Sequence, residues 1–159
     1  MTDAMIRPAP IRKRFEVRAA PARAFDIFAG SMGTWWPKDH SVLKEMHQTE
    51  QKDVRIEPHV GGRWYEVGEN GAEYPWGEVR AWEPPSRLVL AWRLSQRFEY
   101  DPTLDTEVEV RFSPGADGGT VVEFEHRGLE AFGADGAAMI DSLSGGWELM
   151  MGQFAEKAA

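Results

Sequence analysis

The residues with most chemistry to offer are His126, in "TVVEFEHR", and a hairpin that carries Glu66, Glu78 and Arg80. Imidazole exchanges protons near neutral pH, so His126 with a hairpin carboxylate would make the acid–base pair of a cyclase, dehydratase or hydrolase. His126 shares its strand phase with Val122 and Phe124 and is expected to point inward. Its expected role is a core histidine satisfied by its neighbours, ahead of a cavity group that orients a ligand and of a general acid or base. Glu66 shares a face with Trp64, and Glu78 and Arg80 share one with Trp76 and Trp82. Turned inward, these charges would have to pair with each other or with a ligand. Turned outward, they are solvated. "WYEV" is apolar on both faces and a bulge near Gly77 could switch the phase, so periodicity leaves the choice open, with the solvated arrangement favoured.

Other reactive constellations are thin. His40 and His47, seven apart with Asp39 and Glu45 nearby, would line up on one helix face. Zinc needs three or four convergent ligands, and "HSVLKEMH" is not a known ligand pattern, so no metal is expected and these read as loop histidines in water. His59, after Pro58 and before a glycine pair, reads as a turn residue. The nearest approach to a nucleophile elbow is "AGSMG", with Ala29 in the first glycine place, so the usual mark of acyl transfer is missing. No dinucleotide or phosphate loop occurs, "GADGG" being a turn between strands, and no cofactor is expected.

What stands out is tryptophan, seven in 159 residues. Its broad apolar face with one polar handle suits binding surfaces and pockets. Trp35 and Trp36 are adjacent in "GSMGTWWPKDHSV", and adjacent side chains leave a helix or strand in different directions, so this segment is enclosed on two sides. The net charge of −8 argues against nucleic acid, whose binding is dominated by lysine and arginine on phosphates. Without cysteine there is neither a disulfide nor thiolate chemistry, and a cytoplasmic location is expected. No apolar run approaches the ~18 residues of a membrane span, so no membrane insertion is expected. Residues 1–10 read as a flexible leader and 11–159 as one domain.

These side chains need elements to hold them. Residues 11–17 alternate apolar and charged, as a half-buried strand does. "PARAF" opens a helix on Pro21 and Gly30 suits its stop, with a second short helical or irregular piece in residues 33–47. "DVRIE", "GRWYEVG", "EYPWGEVRAWE", "RLVLAWRL", "TEVEVRF" and "TVVEFEHR" then read as an antiparallel meander with one wet side, its first hairpin turning at Asn70-Gly71. Ile140, Leu143, Trp147, Met150 and Phe154 recur at three and four, the stripe of a long amphipathic helix. Gly145 and Gly146 inside it each cost roughly 1 kcal/mol relative to alanine, which suggests a close strand or ligand that uses their bare backbone.

In order, "PARAF", "WW" at 35–36, "GGRW" at 61–64, "WGEVRAWEPPSRLVLAW", "TVVEFEHRG" and "GGW" at 145–147 resemble the SRPBCC superfamily, in its activator-of-Hsp90-ATPase-homologue-like branch. The resemblance runs from about Ile11 to Phe154 and implies an α+β helix-grip, or START-like, fold. That fold is a curved antiparallel sheet of about seven strands around a long C-terminal helix, with one or two short helices after the first strand and an internal cavity. It also implies, as the leading expectation, an apolar aromatic or acyl small molecule in that cavity, lined by Trp35, Trp36, Trp64, Trp76, Trp92, His126 and Trp147. Of Trp35 and Trp36, one ring would seal the core and the other face the cavity, with Lys38 to His40 returning to water. The superfamily also holds cyclases and carriers, so an enzyme stays the alternative, as does a protein-interaction module. The cochaperone that names the branch uses a separate N-terminal domain for much of its Hsp90 contact; none is expected here, so Hsp90 is not an expected partner. Homodimerisation stays open.

Overall fold

In the computed structural model the described residues are 8–95, 97–133 and 136–159, with Glu45 described through its backbone only. Most of the expected leader over residues 1–10 therefore lies outside the described residues. Seven strands form one antiparallel sheet in the order β1-β7-β6-β5-β4-β3-β2. They are β1 Ile11–Val17, β2 Gln51–Ile56, β3 Arg63–Gly68, β4 Glu73–Glu83, β5 Arg87–Trp92, β6 Thr106–Pro114 and β7 Thr120–Arg127. Between β1 and β2 lie α1 (Pro21–Phe25), which runs on as a π-type turn over Asp26–Gly30, a 3-10 turn at Met32–Thr34, and α2 (Val42–Met46). The chain closes with α3, Ala137–Lys157. This is the helix-grip arrangement.

The long helix lies in the grip because its stripe is apolar: Met139, Leu143, Trp147, Met150, Met151 and Phe154 are buried, at steps of three and four. Its C-terminal end is tied down where the Ala19 N–H donates to the Ala158 carbonyl at 2.8 Å. Opposite it, Val108, Val110, Phe112, Val122, Phe124 and His126 present the inward phase of β6 and β7. Gly145 and Gly146 do not serve a close approach. A side chain built on either would meet open space, so the expectation of a strand against that bare backbone is corrected.

The other face of the sheet is a lattice of opposite charges. Arg127 donates to Glu107 and Glu109 on the neighbouring strand and to Glu125 on its own, and Arg87 reaches the other Glu109 oxygen at 2.7 Å. Burial pushes the Glu109 carboxyl upward, but the hydrogen bonds from Arg87 and Arg127 outweigh it and hold the group below its ordinary value. Such cross-strand pairs fix register as well as charge.

Two bulges settle the phase of β4. The β3–β4 register shifts beside Trp76, and the β4–β5 register shifts beside Arg80. Each shift adds one residue, so Trp76, Val79 and Trp82 all turn toward the interior while Glu78 and Arg80 turn out. Arg80 pairs with Asp105 and Glu107, and Glu78 with Arg93, in the outer lattice. Gly77 is what allows the first bulge: a Cβ there would stand 1.7 Å from the Ala91 carbonyl oxygen. The favoured solvated arrangement thus describes Glu78 and Arg80. Glu66 is the correction, because it lies on the inner face with no solvent exposure.

Candidate functional site

Five tryptophans from five segments close into a ring. Trp36 lies 4.8 Å from Trp76, Trp76 5.5 Å from Trp64, Trp64 5.7 Å from Trp92, Trp92 5.4 Å from Trp147, and Trp147 5.9 Å from Trp36, centroid to centroid. Four of the five contacts are edge-to-face or steeply inclined, the geometry favoured by the ring quadrupoles and worth about 0.5–1.5 kcal/mol per pair beyond burial. Trp35 stands outside the ring, packed on Phe28 and Phe154, with its indole N–H donating to the Ile27 carbonyl. The indole N–H groups of Trp64 and Trp76 are buried without a hydrogen-bond partner among the described residues.

Behind the ring runs a closed hydrogen-bond relay. The Trp147 indole donates to His126 Nδ1 at 3.1 Å, which places the imidazole proton on Nε2. Nε2 donates to Thr106 Oγ1 at 2.9 Å, and that hydroxyl donates to the Trp92 carbonyl at 3.0 Å. Burial lowers the His126 pKa from 6.5 to about 3, so the ring is neutral over the physiological range with both nitrogens engaged. Glu66 is likewise spent on the protein: its carboxyl accepts from the Leu43 N–H, where α2 begins, and from Gln51 Nε2 at 2.7 Å. A buried carboxyl thereby fastens α2 to the sheet.

On the other side of the ring the packing stops. A cavity of about 460 Å³ opens there, within the range of small-molecule sites. Trp36, Trp76, Trp92, Val42, Leu94 and Met150 wall it, and Asp39, His40, Ser41, Met46, Arg97 and Phe98 form its mouth. Trp36 holds this mouth in place, since its indole N–H donates to the His40 carbonyl at 2.9 Å. The opposite lip is a turn pinned by Ser95, whose hydroxyl accepts from the N–H groups of Arg97 and Glu99. Asp39 and His40 touch at 3.3 Å, and that hydrogen bond holds the Asp39 carboxyl below its ordinary value. A separate hollow of about 370 Å³ over β1, β6 and β7 is rimmed by Arg12, Arg14, Arg111, Glu123 and Glu125 and belongs to the outer charge lattice. No group of three or more His, Asp or Glu suited to a metal gathers among the described residues. Nor is any described helix long and apolar enough to cross a membrane.

The sequence model of one family, the Activator of Hsp90 ATPase homolog 1-like proteins, matches residues 18–159. The chain belongs to that family. Among solved structures, the Activator of Hsp90 ATPase homolog 1-like chain is similar to an anthrahydroquino-γ-pyrone synthase at 30% identity, over 94% of this chain and 96% of that one, with a TM-score of 0.62. It is similar to CalC, a self-sacrificing resistance protein from Micromonospora echinospora, at 29% identity over 94% and 93% of the two chains, TM-score 0.67. The Aha1 dimer from Colwellia psychrerythraea matches at 13% identity over 95% and 96%, TM-score 0.63, a likeness that speaks for the fold alone. No curated protein matches the chain.

Of the tryptophans singled out for their composition, Trp36, Trp76 and Trp92 reach the cavity. Trp35, Trp64, Trp147 and His126 are packed in the ring or behind it. Of the adjacent pair, Trp36 is the one on the cavity. Lys38 to His40 are expected to return to water. Asp39 and His40 are indeed exposed, but they border the cavity because Trp36 anchors their backbone. Arg97 and Phe98 carried no signal at all, since an irregular loop has no periodicity to read.

Proposed function

We propose that this protein binds a flat, apolar, aromatic small molecule in the cavity beside the tryptophan ring. The observation that carries this reading is the cavity itself, about 460 Å³, with three indole rings in its wall and polar groups confined to its mouth. Ring faces stack on a flat ligand, and Met150 and Met46 add side chains that reshape at little cost. The synthase at 30% identity is named for an anthrahydroquino-γ-pyrone, a fused-ring compound of the shape such a space takes.

The test is quenching of the intrinsic tryptophan fluorescence on titration with anthraquinone, alongside a saturated acyl chain such as decanoate. Saturable quenching by anthraquinone supports the reading, and absence of any response to either probe overturns it. An enzyme built on His126 and a hairpin carboxylate gains no support, because both imidazole nitrogens and the Glu66 carboxyl are engaged by the protein itself. Any proton transfer on a bound molecule would fall to groups at the mouth.

A further inference from the structure

Two groups at the mouth remain unspent. His40 Nδ1 faces Asp39 Oδ1 at 3.3 Å, and an ionised carboxyl can only accept, so Nδ1 carries the proton and the Nε2 lone pair is free. Arg97 makes a backbone bond to Ser95, but its guanidinium has no hydrogen-bond or ion-pair partner among the described residues. Both side chains border one cavity. Their backbones are fixed, the first by the Trp36 indole and the second by the Ser95 turn.

We propose that Asp39, His40 and Arg97 form a proton-accepting, oxyanion-binding rim that selects aromatic ligands carrying an ionisable oxygen, a phenol or an enol, at the edge left in the mouth. This rests on the cavity reading above. The ligand O–H bond breaks, its proton passes to His40 Nε2, and both electrons stay on the oxygen. Arg97 faces the resulting anion, while Asp39 holds the imidazolium. Of the other charges nearby, Lys38 reaches the carbonyls of Gln51 and Lys52, and Lys44 on α2, 3.8 Å from Glu50, adds a weaker pull on the Asp39 carboxylate. Among the described residues, the sheet and α3 bring Trp76, Trp92 and Met150 to the cavity, none of them charged. The rim thus supplies the charged groups of a site whose walls are uncharged, and a buried aromatic would enter with its acidic edge last.

The experiment compares 2-hydroxyanthraquinone with anthraquinone on the purified full chain, between about pH 5 and 9. The phenolate absorbance of the bound hydroxy probe should appear about one pH unit lower than in free solution, equivalent to roughly tenfold tighter binding of the anion. Arg97→Gln should abolish that shift and remove the preference for the hydroxy probe over anthraquinone. In His40→Gln, calorimetry in buffers of different ionisation enthalpy should show a proton released to solvent that wild type retains. All three side chains are exposed at the rim, so these variants fold. Equal behaviour of both probes across pH, or a shift indifferent to both substitutions, overturns the rim while leaving the cavity reading intact. Failure of both probes to bind overturns the cavity reading and the rim with it.

Discussion

The two sides of the tryptophan ring use one residue type for opposite ends. On one side, Trp147 and Trp64 are buried away from the cavity, and the Trp147 indole is consumed by a relay that ends on a main-chain carbonyl. In front, Trp36, Trp76 and Trp92 lie against a space that α2, the Ser95 turn and Met150 surround but do not fill. The difference is in what covers the rings. A tryptophan's role here follows from whether a neighbouring element closes over it.

Substitutions can break that contrast. Trp147→Ala is expected to cost about 3–5 kcal/mol in chemical denaturation, because it empties the closed side and strands His126 Nδ1. Phe98→Ser at the open lip should stay within about 0.5 kcal/mol of wild type while weakening anthraquinone binding. Equal destabilisation by both would erase the distinction between the two sides.

Acid sharpens it next. His126 stays neutral in the fold down to about pH 3, while the unfolded chain protonates near 6.5. The unfolded state therefore binds more protons in that window, and stability is lost as pH falls through it, by about 2 kcal/mol at pH 5. Unfolding free energies measured from pH 7 to 4 should show a slope that His126→Gln flattens. A slope unchanged by that substitution would mean another group is responsible.

Glu66→Gln is smaller, about 1–3 kcal/mol, since the amide can accept for only one of the two donors, Leu43 N–H and Gln51 Nε2. Because Leu43 follows Val42 of the cavity wall in α2, ligand affinity should fall with thermal stability, unlike the case of Phe98→Ser. Smallest is Gly145→Ala. With open space around its Cβ, the change should raise stability by up to about 1 kcal/mol in thermal unfolding. A loss instead would show that the helix needs that gap.

The strands were legible because alternation and turn chemistry act locally: "EYPWGEVRAWE" spans Glu73–Glu83 as β4, and Asn70-Gly71 turns the hairpin with Gly71 at φ +87°. The inward phase of His126 followed from the same alternation. What alternation cannot convey is a bulge, which moved Trp76 and Trp82 inward and left Glu78 and Arg80 outside. Nor can it mark Glu66, whose burial depends on donors from Leu43 and Gln51, 23 and 15 residues away. The cavity mouth joins residues 39–46 to residues 97–98, and no local pattern links segments so far apart.

The ring has an optical consequence. Five indoles held 4.8–5.9 Å from their neighbours share excitation faster than any one of them emits. Their near-ultraviolet circular dichroism should carry the paired lobes of coupled transitions rather than a sum of single bands. A molecule that quenches Trp36 would thus darken Trp64 and Trp147 as well, though it touches neither. Trp82, held by Phe25 apart from the ring, stays as an internal reference.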